Sequence, residues 1–318
     1  MKIKPVAMRD ALLERVWREM RRDSSIFVTC ADFGSPILDN IRGEFPDRFV
    51  NVGIAEQNLI NISAGLALEG YKVFAYAIAP FITMRCYEQT RVNLALLSTV
   101  RPMNVTLLGV GAGYSYVVSG PTHQCYEDIT LMRAMPNMRV LSPSDHVVAA
   151  ALFDVCHAAP GLKYVRLDAQ ILQVVYSTKG PDIPRGFHIH RTGGETCFVA
   201  TGYMLHTALA VAEALGVEGI PVGVIDLFDL SVFAQDDLQQ TLMPYRRVIS
   251  MEEGFKGCGG MDALLAQFLR ERDLNLSYMN IGVEGGYQFE LGSRVELHEQ
   301  VGIGRTAIMA KCKEFIGE

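Results

Sequence analysis

The chain has 318 residues, of which 49% are hydrophobic and 20% charged. That length suggests two domains and can bury a large core without covalent staples, so bulk disorder is excluded. With 29 Lys and Arg against 35 Asp and Glu, the net charge of −6 lacks the basic excess of a dedicated nucleic-acid binder.

Val6, Leu13, Val16, Trp17 and Met20 recur at helical spacing near the start. Charges run through this helix and no apolar h-region is present, so it does not read as a signal peptide. Residues 25–30 form a short β-rich run ending at Asp32-Phe33-Gly34-Ser35, and 48–52 form another. The pattern then predicts a helix over 55–68, a strand over 72–76, a long helix over 81–97 and a strand over 104–108. Helix 126–135, strand 138–141, helix 145–158 and strand 163–167 follow. The strands are apolar runs without clean alternation, as expected where helices cover both faces of a parallel sheet.

Residues 102–126 carry no Asp, Glu, Lys or Arg. Gly109, Gly111, Gly113, Ser119, Gly120 and Pro121 interrupt the stretch, so it reads as a strand running into a loop, not a membrane span. Gly180, Pro181, Pro184 and Gly186 punctuate the interval 176–193, which reads as a linker between domains 1–175 and 194–318. In the second domain, strands are expected at 196–200, 221–227, 247–251 and 276–281. Helices are expected at 205–215, 236–243, 261–270 and 305–316. The fold class is therefore α/β, a parallel-sheet domain followed by a smaller α/β domain.

Cys30, Cys86, Cys125, Cys156, Cys197, Cys258 and Cys312 include no CxxC pair, which removes zinc-ribbon spacing. They read as buried free thiols of a chain kept in a reducing cytosol. His188 and His190 have ligand-like spacing but no third ligand nearby in sequence, and no GxSxG nucleophile motif occurs.

In open α/β sheets ligands gather at the carboxyl ends of strands. Three such ends carry polar chemistry: Asp32 to Ser35, Gly53 to Asn58, and the loop 109–123, GVGAGYSYVVSGPTH. Glu56 opens a helix, where a carboxylate complements the dipole. The apolar run after it would bury Glu56, and a buried carboxylate is equally a candidate for proton transfer. The glycine loop matches neither GxGxxG nor GxxxxGK[ST]. His123 is either an ordinary satisfied histidine or an imidazole delivered into a cleft by the rigid Gly-Pro-Thr turn.

Two blocks, FPDRFVNVGIAEQNLINISAGLALEGYKVFAY over 45–76 and SGPTHQCYEDITLMRAMPNMRVLSPSD over 119–145, resemble transketolases and 1-deoxyxylulose-5-phosphate synthases. The resemblance continues through KYVRLD, VATGYMLHTALAVAEAL and VISMEEGFKGCGG and covers essentially the whole chain. It implies the pyrimidine-binding domain of the thiamine-diphosphate enzymes followed by the transketolase C-terminal domain. The GDG motif that holds the diphosphate and metal in that family is absent from the sequence. The resemblance therefore implies a split enzyme, inactive alone. Its N-terminal transketolase subunit would hold the diphosphate of thiamine diphosphate and the Mg2+, in an α2β2 heterotetramer with self-pairing of this chain.

Roles follow by resemblance. Glu56, in GIAEQ, would hydrogen-bond the aminopyrimidine and activate the cofactor. Phe81 or Ile82 would stack on the pyrimidine, with Arg85 at the pocket edge and Asp32 lining the thiazolium side. His123, in GPTH, would bond substrate oxygens or shuttle a proton. Arg9 and Arg166 would grip a sugar phosphate, as guanidinium groups do bidentately, and Ser35, at the same strand end as Asp32, would line the thiazolium side as a substrate contact. Ser119 stands where transketolases carry an acidic residue before the GPTH glycine, and Gly111 stands near a missing histidine. Those departures point to a modified or branched sugar, or to a different acceptor. Expected partners are small sugar phosphates, with no nucleic acid and no membrane, in the cytoplasm. The rivals are a thiamine-dependent synthase, a 2-oxoacid dehydrogenase E1 β-type subunit that decarboxylates a 2-oxoacid, and a non-catalytic scaffold subunit.

Overall fold

The structure, a computed structural model, describes residues 3–32, 34–158, 160–177 and 180–317. Six strands form the first sheet: β1 Ile26–Cys30, β2 Phe49–Asn51, β3 Lys72–Ile78, β4 Asn104–Val110, β5 Met138–Leu141 and β6 Gly161–Leu167. Their order is β2-β1-β3-β4-β6-β5 and every pairing is parallel. Its helices are α1 Met8–Met20, α2 Pro36–Glu44, α3 Glu56–Leu68, α4 Tyr87–Gln89, α5 Asp128–Arg133 and α6 His146–Ala158. The chain reverses direction across the sheet between β1 and β3, which opens a crevice at their carboxyl ends. β1 is buried along its whole length, as its unalternating apolar pattern requires.

The second sheet contains β7 Phe187–Arg191, β8 Thr196–Ala200, β9 Val222–Leu227, β10 Arg247–Phe255 and β11 Ser277–Val283. The order is β11-β10-β8-β9-β7, with β7 antiparallel to β9 and the rest parallel. Helices α7 Met204–Val217, α8 Gln235–Leu242, α9 Met261–Glu271, α10 Arg294–Gln300 and α11 Arg305–Ile316 accompany it. Ser142 N–H donates to Phe228 O at 2.7 Å and Leu230 N–H to Val140 O at 2.9 Å, so backbone bonds join the two sheets' layers.

Two expectations are corrected. The interval 176–193, read as a linker, contains β7. Gly186 takes φ +76°, which turns the chain into the strand, and Phe187 is buried. Such a short, polar edge strand carries little periodic signal. The long helix over 81–97 is instead a π-turn Phe81–Arg85, then α4, a second π-segment Thr90–Leu96 and a 3-10 turn Leu97–Thr99. Thr83 Oγ1 donates to Ala79 O at 2.7 Å, a side-chain competitor for the helical ladder. Pro80 caps the π-turn.

All seven cysteines are free; six are buried and Cys258 is exposed. Among the described residues, no helix is long and apolar enough to cross a membrane.

Candidate active site

The ends of β1 and β2 are tied by one side chain. Asn51 Oδ1 accepts the N–H of Asp32 at 3.0 Å and of Gly53 at 2.9 Å, while its Nδ2 donates to Asp32 Oδ1 at 3.3 Å. Asp32 takes φ +44°, a conformation Asp tolerates better than most residues. The turn then delivers Glu56 as the first residue of α3. Glu56 is 3% exposed, and its Oε2 accepts from Arg85 Nη1 at 2.6 Å. Burial of that carboxylate demands such a partner.

The π-turn after β3 brings the next two groups. The Arg85 guanidinium lies 4.4 Å over the Phe81 ring, and the Phe81 ring meets the His123 ring edge-on at 5.2 Å. Phe81 is half-buried, whereas Ile82 is fully buried in the apolar core. Glu56, Arg85, Phe81 and His123 thus form one contiguous cluster at the carboxyl edge of the sheet.

The loop that carries His123 is closed at its neck. Gly111 and Ala112 N–H groups both donate to Leu167 O, at 2.9 and 3.1 Å. Gly113 and Cys125 exchange backbone bonds of 2.9 and 3.0 Å, and Gln170 Nε2 donates to Ser115 O at 3.1 Å. His123 Nδ1 and Thr122 Oγ1 are 3.0 Å apart, which fixes the ring orientation.

Arg9 and Ser35 meet at Asp10. Arg9 Nε is 3.4 Å from Asp10 Oδ1, which also accepts from Ser35 Oγ at 2.7 Å. Ser35 Oγ in turn caps α2 by accepting from Ile37 N–H at 3.2 Å. Arg9 also neighbours the Tyr76 and Tyr116 hydroxyls. Burial pushes the Tyr116 phenol up to about 12, with Arg9 opposing the shift.

Arg166 is placed elsewhere. It is buried, with Nε donating to Asp128 Oδ2 at 2.8 Å and Nη2 to Glu253 O at 2.8 Å and Cys125 O at 3.4 Å. Tyr164 donates to the same Asp128 oxygen at 2.8 Å. The guanidinium therefore serves the contact between the two sheets and is not brought to the cluster around Glu56.

Several residues escaped the sequence reading. Glu253, Arg294, Asp168 and His298 form a buried charged network behind the loop. Adjacent Glu252 and Glu253 inside an apolar strand were a usable signal, because buried carboxylates need partners. His188 and His190 pack on Tyr176, at 5.1 and 4.8 Å between rings. Among the described residues, no three His, Cys, Asp or Glu side chains converge to hold a metal.

Chemically, a buried carboxylate beside a half-exposed aromatic face suits a flat, protonatable nitrogen heterocycle. Glu56 and Phe81 fit the aminopyrimidine of thiamine diphosphate in that sense.

Residues 4–173 match the family model of the transketolase pyrimidine-binding domain, and 186–308 that of the transketolase C-terminal domain. The chain is 32% identical over 267 residues to an apulose-4-phosphate transketolase subunit of Actinobacillus succinogenes, with 84% of each chain covered. It is 30% identical over 264 residues to the 1-deoxy-D-xylulose-5-phosphate synthase of Synechococcus, covering 81% of this chain and 40% of that one. A split-gene transketolase solved as an inactive β4 tetramer superposes with a TM-score of 0.85 at 27% identity, over 99% of both chains.

Proposed function

Because the chain belongs to the transketolase family, we propose that it is the pyrimidine-domain subunit of a two-chain transketolase that moves a two-carbon ketol unit between sugar substrates. The observation that carries this reading is the buried Glu56 carboxylate beside the half-exposed Phe81 ring at the sheet's switch point. Thiamine diphosphate, when bound, supplies the carbanion chemistry. Glu56 presents its carboxylate toward the aminopyrimidine, where a ring nitrogen can share a proton with it, and Phe81 offers a face for stacking. Arg85, 2.6 Å from Glu56, keeps that carboxylate oriented. Thr122 at Nδ1 aims His123 so that Nε2 holds or moves a proton at a substrate oxygen. Arg9 and Ser35 lie on the substrate side, and Asp32 on the thiazolium side.

The diphosphate and Mg2+ belong to an N-terminal transketolase subunit in this reading, and the assembly is an α2β2 heterotetramer. The split arrangement is supported by the similarity to one subunit of a transketolase and to a split-gene enzyme. The similarity to a synthase supports a second reading, in which the complex decarboxylates pyruvate and adds the remainder to an aldehyde.

Calorimetric titration with thiamine diphosphate and Mg2+ tests the composite site. Heat is expected only when this chain is mixed with a diphosphate-binding chain encoded beside it. Tight binding to the isolated chain sinks the split site. Turnover of pyruvate but not of D-fructose 6-phosphate or 3-hydroxypyruvate by the mixture selects the synthase.

A further inference from the structure

The loop that carries His123 directs a second side chain at the same space. Gly111 takes φ +105°, and a Cβ built there would fall onto the edge of the Tyr116 ring. The ring of Tyr116 thus occupies the volume that any side chain at 111 would need. Positions 111 and 116 exclude each other sterically, and this sequence gives the space to the aromatic.

The ring lies 6.3 Å from the His123 ring and nearly perpendicular to it, and the charges of Arg9 and Asp168 act on its phenol. Its backbone is held on the N-terminal side by the bond from Gln170 to Ser115 O, and the loop that carries it is closed at the neck by Gly113 and Cys125. Tyr116 is therefore a wall beside His123, one of the groups proposed for the substrate side.

Resting on the transketolase reading above, we infer that Tyr116 sorts ketose donors by length: its ring narrows the site beside His123 and favours donors with few carbons beyond the ketol group. A bulky planar side chain leaves less room along the sugar chain than the glycine opposite it would. The recognition is a matter of shape, so the ring matters more than the hydroxyl.

The test uses the full two-chain complex with cofactor and Mg2+. For each variant, kcat/KM is measured with 3-hydroxypyruvate, D-xylulose 5-phosphate and D-fructose 6-phosphate as donors. Tyr116→Ala is expected to raise the ratio of fructose 6-phosphate to hydroxypyruvate by about tenfold or more, the scale of a changed pocket contact. Tyr116→Phe is expected to keep the wild-type ratio. Should Tyr116→Ala fail to assemble, Tyr116→Leu keeps apolar volume while removing the plane, and its ratio is expected to rise in the same direction. An unchanged ratio in an assembled, active Ala or Leu variant overturns the inference. So does a shift in Tyr116→Phe equal to that in Tyr116→Ala, because it would put the selection in the hydroxyl. A wild-type complex that turns over none of the three donors overturns the transketolase reading, and the inference with it.

Discussion

Arg294 grips Glu253 through two bonds, Nε to Oε1 at 2.9 Å and Nη2 to Oε2 at 2.6 Å, with both side chains buried. The remaining arm, Nη1, donates to Asp168 Oδ2 at 2.6 Å, just past the end of β6 in the first sheet. His298 adds a 2.6 Å contact to Glu253 Oε1. Glu253 also packs on Gly113 so closely that a Cβ there would meet its carboxylate. A charged clamp from the second domain thus reaches the neck of the His123 loop. Burial alone would raise the Glu253 carboxyl, but Arg294 and His298 hold it well below the usual carboxylate range.

Breaking that clamp strands two buried carboxylates. Arg294→Met is expected to cost about 3–5 kcal/mol, the usual penalty for removing one partner of a buried pair. Arg294→Lys recovers only part, since an ammonium cannot reproduce the two-pronged grip. Urea denaturation of the three proteins measures this. A loss below about 1 kcal/mol in the Met variant, the scale of an exposed pair, would show that the clamp is not a structural tie.

Glu56 carries the proposed chemistry, so its loss should separate catalysis from assembly. Glu56→Gln keeps shape and a hydrogen-bonding end. Turnover of the reconstituted complex is expected to fall by about 10²–10⁴-fold, the range of a lost proton-transfer group. The elution volume of the complex on size exclusion should not change. Full activity in an assembled Gln variant would remove Glu56 from the mechanism.

Much of this site was legible because its residues stand at strand ends. Asp32, Glu56 and the loop 109–123 follow apolar runs whose carboxyl ends the alternation locates. Residue 81 against 82 was not decidable, because a π-turn inserts an extra residue per turn and slips the register there by one position. Arg166, read as a phosphate contact, pairs inside the protein with Asp128. Its internal partner Asp128 lies on a different element, and nothing in a single strand tells a substrate-facing arginine from a buried one. β7 and α10 were missed because each is short, and α10 owes its start to the Ser293–Glu296 capping box rather than to an apolar stripe.

Phe81 and Ile82 should therefore respond differently to the same truncation. Ile82 is fully buried, and Ile82→Ala is expected to cost about 2–5 kcal/mol of stability. Phe81 is half-buried, so Phe81→Ala should cost less stability and weaken thiamine diphosphate binding to the complex instead. Thermal denaturation read beside cofactor titration decides the assignment. The reverse pattern would place the stacking residue at 82.

Asp226 gives the fold a pH dependence of definite sign. It is buried, and its Oδ2 accepts from Ser144 Oγ at 2.5 Å and Tyr176 O–H at 2.7 Å. Burial pushes its carboxyl up to about 7, beyond what the two hydroxyls recover, and nearby Asp145 adds to the rise. An unfolded Asp titrates near about 3.9, so between those values the folded state holds more protons than the unfolded one. Stability contributed by the protonated group is then complete below about pH 4 and is lost as pH rises through about 7. Glu252, also raised to about 7 by burial, acts in the same direction and leaves a residual slope after Asp226 is removed. Asp226→Asn cannot ionise. Its stability relative to wild type, from urea midpoints at pH 5, 6, 7 and 8, is expected to improve from pH 5 to about 7 and to level off by pH 8. A difference that stays constant with pH would mean that Asp226 is ionised in the folded protein throughout.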